Sequence, residues 1–143
     1  MAAPRQVDVE KLLVEHDIRS TRQRLLVLAE LAREPNDATA HELFARLRAH
    51  GERIGLATIY RTLALLSERS VIDALAHHGG ELCYRLCGES HHHHLTCSGC
   101  HRVLELADCS LEPWVAQISA SHGFEPTGHV VEVTGICAGC RAA

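Results

Sequence analysis

Apolar positions in the first half of the chain recur at helical spacing. Val9, Leu12, Leu13 and His16 form a first stripe, which Ile18-Arg19-Ser20 interrupts. Thr21 then has the chemistry of an N-cap for a helix over Arg22 to Arg33, with Leu25, Leu28 and Leu31 on one face. Pro35-Asn36-Asp37 ends that segment. A third helix is predicted from Thr39 to His50, stopping at Gly51, with Leu43, Phe44 and Leu47 inward. A fourth runs from about Leu56 to Arg69, with Ile59, Leu63 and Leu66 inward. The pattern then shortens: Val71 to Ala76 and Glu81 to Leu86 predict two strands around the hairpin signal His77-His78-Gly79-Gly80. Helices followed by a two-stranded wing predict a winged helix-turn-helix. Further on, Arg102 to Glu132 reads as strand, helix and strand.

Composition narrows the class. With 46% apolar and 22% charged residues over 143 positions, the chain should fold around a core, as one ordinary domain or two small lobes. No apolar run approaches the roughly 18 residues of a membrane span, and MAAPRQVDVEKLL lacks the pattern of a signal peptide, so no membrane is expected and a cytoplasmic location is. In a reducing compartment seven cysteines point to metal binding or redox chemistry rather than disulfides. The net charge of -4 conceals a division at residue 70: the first part holds 11 of 14 Lys+Arg against 10 acids, the remainder 3 against 8. All seven cysteines and nine of twelve histidines follow residue 70. One half carries the cations that suit phosphate, and the other collects the ligands that suit a transition metal.

In a helix-turn-helix the second helix shows its N-terminal residues to base edges. Here those are Ala57, Thr58, Tyr60 and Arg61, of which Tyr60 and Arg61 flank the inward Ile59 and should project outward. Exposed Arg and Tyr are common on any helix. The run Arg19-Ser20-Thr21-Arg22-Gln23-Arg24 strengthens the nucleic-acid reading: Arg22 sits at a helix entrance, and Arg19, just outside it, can reach a minor groove.

The second half has a sharper signal. Cys97-x-x-Cys100 and, after 36 intervening residues, Cys137-x-x-Cys140 are two knuckles that together complete a four-thiolate zinc site. Either pair alone also fits a redox CxxC, whereas two matched pairs favour structural zinc. Between Cys87 and Cys97 lies His91-His92-His93-His94. On an extended strand alternation sends His92 and His94 to one face and His91 and His93 to the other, enough for two sites. His92 and His94 could join Cys87, with Asp73 a candidate carboxylate; His91 and His93 need later partners, where Glu112 and His129 are available. Spacing alone leaves both assignments open.

The start Ser20 to Arg24, the stretch Gly55-Leu56-Ala57-Thr58-Ile59-Tyr60-Arg61-Thr62-Leu63, the four histidines just before CxxC and the terminal CxxC together resemble the ferric uptake regulator superfamily, over roughly Ile18 to Cys140. Within it the chain is most similar to the zinc uptake regulators. Iron regulators tend to carry His-His-Asp-His where this chain has four histidines, and Cys87 before the run resembles a zinc-regulator feature.

The resemblance implies an α+β fold. Residues 1–86 would form a winged-helix DNA-binding domain, and residues 87–143 a small α/β metal-binding and dimerisation lobe stapled by the four-cysteine zinc. It implies a regulatory zinc at Asp73, Cys87, His92 and His94, an accessory site at His91, His93, Glu112 and His129, and a structural zinc at Cys97, Cys100, Cys137 and Cys140. Two or three Zn2+ per chain follow. Arg19, Arg22, Thr58, Tyr60 and Arg61 would face an AT-rich palindromic operator in a homodimer. Cys83 and Cys109 have no role in these sites and read as free thiols.

The function implied is a zinc-responsive transcriptional repressor of metal-uptake genes. A thiolate in the sensing site favours zinc, whereas a site of His and carboxylate alone would suit iron or manganese, and a peroxide sensor would need oxidisable iron. A zinc store would explain the ligands but not the arginine-bearing helices. Neither HExxH nor the deaminase pattern of His-x-Glu with Pro-Cys-x-x-Cys is present, so an enzyme is not expected.

Overall fold

The structure, a computed structural model, describes residues 7–34, 36–76, 80–86 and 91–143. The chain divides into two compact units, Met1–Cys87 and Gly88–Ala143.

In the first unit each helix begins on a side-chain cap that the sequence supplies, until the fourth. Asp8 accepts the Lys11 N–H at 3.1 Å to start α1 (Val9–Glu15). The Thr21 hydroxyl accepts from the Arg24 N–H at 3.3 Å to start α2 (Arg22–Arg33). Thr39 and Glu42 make a reciprocal capping box at the head of α3 (Ala40–Ala49): the Thr39 N–H donates to the Glu42 carboxylate at 2.8 Å, and the Glu42 N–H donates to the Thr39 hydroxyl at 3.1 Å. α3 ends in a Schellman turn, with the Glu52 N–H on the Leu47 carbonyl at 2.9 Å. Its pivot, Gly51, has φ +80°, a backbone geometry that costs glycine nothing. By contrast α4 (Leu56–Glu68) begins at Gly55 with no side-chain cap.

Three strands complete this unit. β1 (Ala38–Thr39) was not predicted; β2 (Ile72–Ala76) and β3 (Leu82–Leu86) lie within the predicted spans. The sheet order is β1-β3-β2, antiparallel throughout, with Asp73 opposite Arg85 and Ala38 opposite Tyr84. The predicted hairpin turn at 77–79 lies outside the described residues. Leu13, Leu28, Leu31, Leu43, Ile59, Leu63 and Leu66 are fully buried and close the core under the sheet. Each contributes about 1.5–3 kcal/mol by leaving water.

The second unit is built differently. β4 (His93–Cys97) is central: β5 (Val103–Leu106) pairs with it antiparallel and β6 (Glu132–Gly135) pairs with it parallel. α5 (Glu112–Ser121) lies between β5 and β6 in sequence, as the strand-helix-strand reading expected, and a short α6 (Ala138–Ala142) follows. Among the described residues of this unit only His93, His94, Thr96, Cys97 and Val103 are buried, and α5 buries none of its own. Among the described residues no helix is long and apolar enough to cross a membrane.

Candidate metal centres and nucleic-acid interface

Strand β4 ends directly in the first knuckle. The turn Ser98 to Cys100 brings the chain back to Arg102, whose carbonyl accepts the Cys97 N–H at 2.8 Å, and His101 takes a left-handed φ of 61° to make the return. β6 runs parallel to β4 and delivers the second knuckle beside the first. The sulfurs of Cys97, Cys100, Cys137 and Cys140 lie within 4.8 Å of one another, and the Cys100 and Cys137 sulfurs are 3.7 Å apart. Four thiolates around zinc at about 2.3 Å would be spaced by about 3.8 Å, the separation the Cys100–Cys137 pair already has.

Electrostatics points the same way. The Cys97 thiol is lowered from 9.0 to about 6, first by the backbone N–H of Cys137 and then by that of Cys100, against the opposing effect of burial. The Cys137 N–H lies 3.2 Å from the Cys97 sulfur, and the Gly99 N–H 3.4 Å. Cys140 is pushed up to about 12 by sharing protons with Cys137, Cys100 and Cys97. Four crowded thiols cannot all ionise by themselves; a divalent cation removes the conflict.

Alternation along β4 sorts the histidine run as the sequence suggests. His91 and His93 face each other with their Nε2 atoms 3.2 Å apart, and the His129 ring sits 4.5 Å from His91 and 5.1 Å from His93, centroid to centroid. Burial, then the neighbouring histidines, hold the His93 pKa below its usual value, so it stays a neutral ring able to ligate. The Val131 N–H donates to His93 Nδ1 at 3.2 Å, so in this tautomer the ring proton sits on Nε2. As a ligand through Nε2, His93 would carry its proton on Nδ1 and give up that bond.

The expected fourth partner, Glu112, is not among the residues brought together here. Glu112 opens α5 and is exposed; Cys109, which had no expected role, places its sulfur 3.1 Å from His129 Nε2. The chain between β5 and α5 turns Cys109 inward. That placement depends on a loop, and no periodicity signals it.

On the other face the His92 and His94 rings are 5.0 Å apart. The Glu105 carboxylate, on β5 directly opposite His94, lies 3.7 Å from His92 Nδ1. Glu105 was not among the predicted ligands; cross-strand register brings it there. Asp73 is half-buried on β2 of the first unit, and Cys87 lies outside the described residues.

The predicted nucleic-acid residues lie in the first turns of α2 and α4 or, for Arg19, just before α2. Tyr60 is exposed on α4 and meets His41 edge to face at 6.2 Å. The Arg61 guanidinium donates to the Thr58 hydroxyl one turn earlier, at 3.3 Å. Arg22 is exposed and held by Glu52 at 2.6 Å, which gives the guanidinium an internal anion to exchange for a phosphate. Arg19 is exposed, and its carbonyl accepts from Arg24 at 2.7 Å. No side chain caps α4, and the Thr58 and Ile59 N–H groups both donate to the Gly55 carbonyl at 3.1 Å.

Comparison with known proteins places these features in context. The Ferric uptake regulator family matches residues 15–134. The zinc uptake regulation protein of Mycobacterium tuberculosis is 41% identical over 125 residues, covering 87% of this chain and 96% of the relative. The solved structure of the Vibrio cholerae ferric uptake regulator superposes with a TM-score of 0.70 at 31% identity, covering 91% of this chain and all of that one. A zinc uptake regulator solved in complex with zinc and DNA gives 0.74 at 26% identity, covering 93% and 90%.

Proposed function

The chain belongs to the ferric uptake regulator family, and from that premise we propose that it is a zinc-responsive, DNA-binding transcriptional repressor of metal-uptake genes, acting as a homodimer with zinc as corepressor. The observation that carries the zinc assignment is the likeness to a zinc uptake regulation protein over nearly the whole of both chains. The thiolate-rich donor sets support it, since thiolate prefers zinc to iron(II) or manganese.

The structural zinc belongs to Cys97, Cys100, Cys137 and Cys140. The regulatory site belongs to Asp73, Cys87, His92 and His94, with Asp73 in the first unit, His92 and His94 in the second, and Cys87 at the boundary. Zinc, when bound, supplies one cation that ligands from both units can share. Its binding would favour the state of the dimer in which two α4 helices meet successive major grooves of a palindrome. Moving such an equilibrium from 1:99 to 99:1 needs about 5.5 kcal/mol of differential affinity. Thr58, Tyr60 and Arg61 then reach base edges and phosphates, Arg22 trades Glu52 for a phosphate, and Arg19 enters the adjoining minor groove. The protein works in the cytoplasm, on DNA, and as a regulator rather than an enzyme.

The test is fluorescence anisotropy of an AT-rich palindromic duplex against zinc and salt. Binding should appear with zinc, weaken steeply with salt, and lose its zinc response in Cys87→Ser while the dimer persists. Binding that ignores zinc would favour storage, and an equal response to iron(II) or manganese would overturn the choice of metal.

A further inference from the structure

The second unit contains a metal-ligand cluster that differs from the one its family suggests, and the difference is one residue. We propose that Cys109 supplies the fourth ligand of the accessory site, so that His91, His93, Cys109 and His129 form a three-imidazole, one-thiolate centre for zinc, with Glu112 outside it. This rests on the reading of the three histidines as a metal site and changes its donor chemistry.

Three observations converge. The ligand atoms of these four residues lie within 4.8 Å of one another, all in the second unit. Tetrahedral zinc with nitrogen at about 2.05 Å and sulfur at about 2.3 Å needs nitrogens about 3.3 Å apart and sulfur about 3.6 Å from nitrogen. The His91 to His93 separation of 3.2 Å meets the first requirement, and the Cys109 to His129 separation of 3.1 Å comes within half an ångström of the second. Glu112, three residues on, is exposed in the first turn of α5, where a carboxylate serves the helix dipole without any metal.

The chemistry follows from the substitution of sulfur for oxygen. A carboxylate would leave the site open to manganese and iron(II), while a thiolate biases it to zinc or cobalt(II) and releases the thiol proton on binding. The four ligands come from β4 and its approach, the loop before α5 and the segment before β6. Filling the site therefore ties three stretches of a unit that has few buried side chains of its own.

Cobalt(II) reads this directly, because a thiolate ligand gives a sulfur-to-cobalt charge-transfer band that nitrogen and carboxylate ligands do not. The probe is full-length Cys87→Ser dimer that retains its tightly held four-cysteine zinc, titrated with cobalt(II). The expected result is a thiolate band that Cys109→Ser abolishes, with cobalt affinity falling at least about tenfold, and that Glu112→Gln leaves intact. Cys109→Asp should bind cobalt without the band and gain manganese affinity, which shows that the unit still folds. A missing band in the Cys87→Ser protein, a band that survives Cys109→Ser, or cobalt binding lost in Glu112→Gln but kept in Cys109→Ser would overturn the assignment. Zinc-dependent DNA binding by the unsubstituted protein is measured separately, so failure of the repressor reading is not mistaken for failure of this one.

Discussion

Gly99 shows how closely the structural site is drawn. A Cβ added there would stand 2.9 Å from the Cys140 sulfur, closer than real contacts allow, and a tight 3.2 Å from its Cβ. A free cysteine could swing away; one required as a zinc ligand cannot. Gly99→Ala should therefore speed zinc loss to a chelator, followed with a colorimetric zinc indicator, while leaving the first unit's helical signal unchanged. Retention equal to the parent would show that Cys140 is not held in place. Cys83 is the contrasting cysteine. It is buried in β3, and its thiol is pushed up from 9.0 to about 12 by burial and then by the carboxylates of Asp37, Glu42 and Glu81. Folding raises this pKa, so the protonated form is stabilised below about pH 9 and the contribution is lost as pH climbs towards 12. In native protein at pH 9 Cys83 should resist iodoacetamide, and in denaturant it should react like any thiol; peptide mass spectrometry distinguishes the two.

At the scale of elements, caps govern where helices begin. The Thr39–Glu42 box is the most complete, and Thr39→Ala should cost about 1 kcal/mol, seen as faster amide exchange in the first turn of α3. Loss confined to other elements would assign Thr39 a role in β1 instead. Caps and stripes were also what the sequence showed most clearly: Thr21 before Arg22 and Leu43 with Leu47 mark α2 and α3 because local hydrogen bonds and 3.6-residue periodicity act over a few neighbours. β1 was illegible for the opposite reason. Two residues carry no period, and Ala38–Thr39 becomes a strand only because Tyr84 and Cys83 lie opposite. The same divide runs through the metal centres. The two CxxC pairs and the alternation of four histidines are local and could be read, whereas Glu105 reaches His92 through cross-strand register and Cys109 reaches His129 through a loop. Neither contact is written in spacing.

For the whole molecule, the decisive fact is how little the second unit can bury alone. Leu104 on β5, Leu95 on β4 and Val133 on β6 are in register, a row across one face of the sheet, and they are 42%, 36% and 48% exposed. Trp114 and Ile118 on α5 are exposed as well, at 58% and 41%. An apolar row this continuous is a liability in a monomer, and a second copy of the unit would remove it from water. As the expected seam this row belongs to the second unit, whereas the arginines belong to the first, so a substitution in the row should separate assembly from DNA contact. Val133→Glu places a carboxylate at one end of the row, which pairing would have to desolvate. Sedimentation should then show a monomer with its four-cysteine zinc still bound. Anisotropy should show affinity for the palindrome falling at least about a thousandfold, to the non-specific range, because a single α4 loses the second half-site. Arg61→Ala should instead leave the dimer intact and cost about 1–3 kcal/mol of binding. If Val133→Glu remained dimeric at micromolar concentration, the row would be a surface with another purpose and the pairing of recognition helices would have to arise elsewhere.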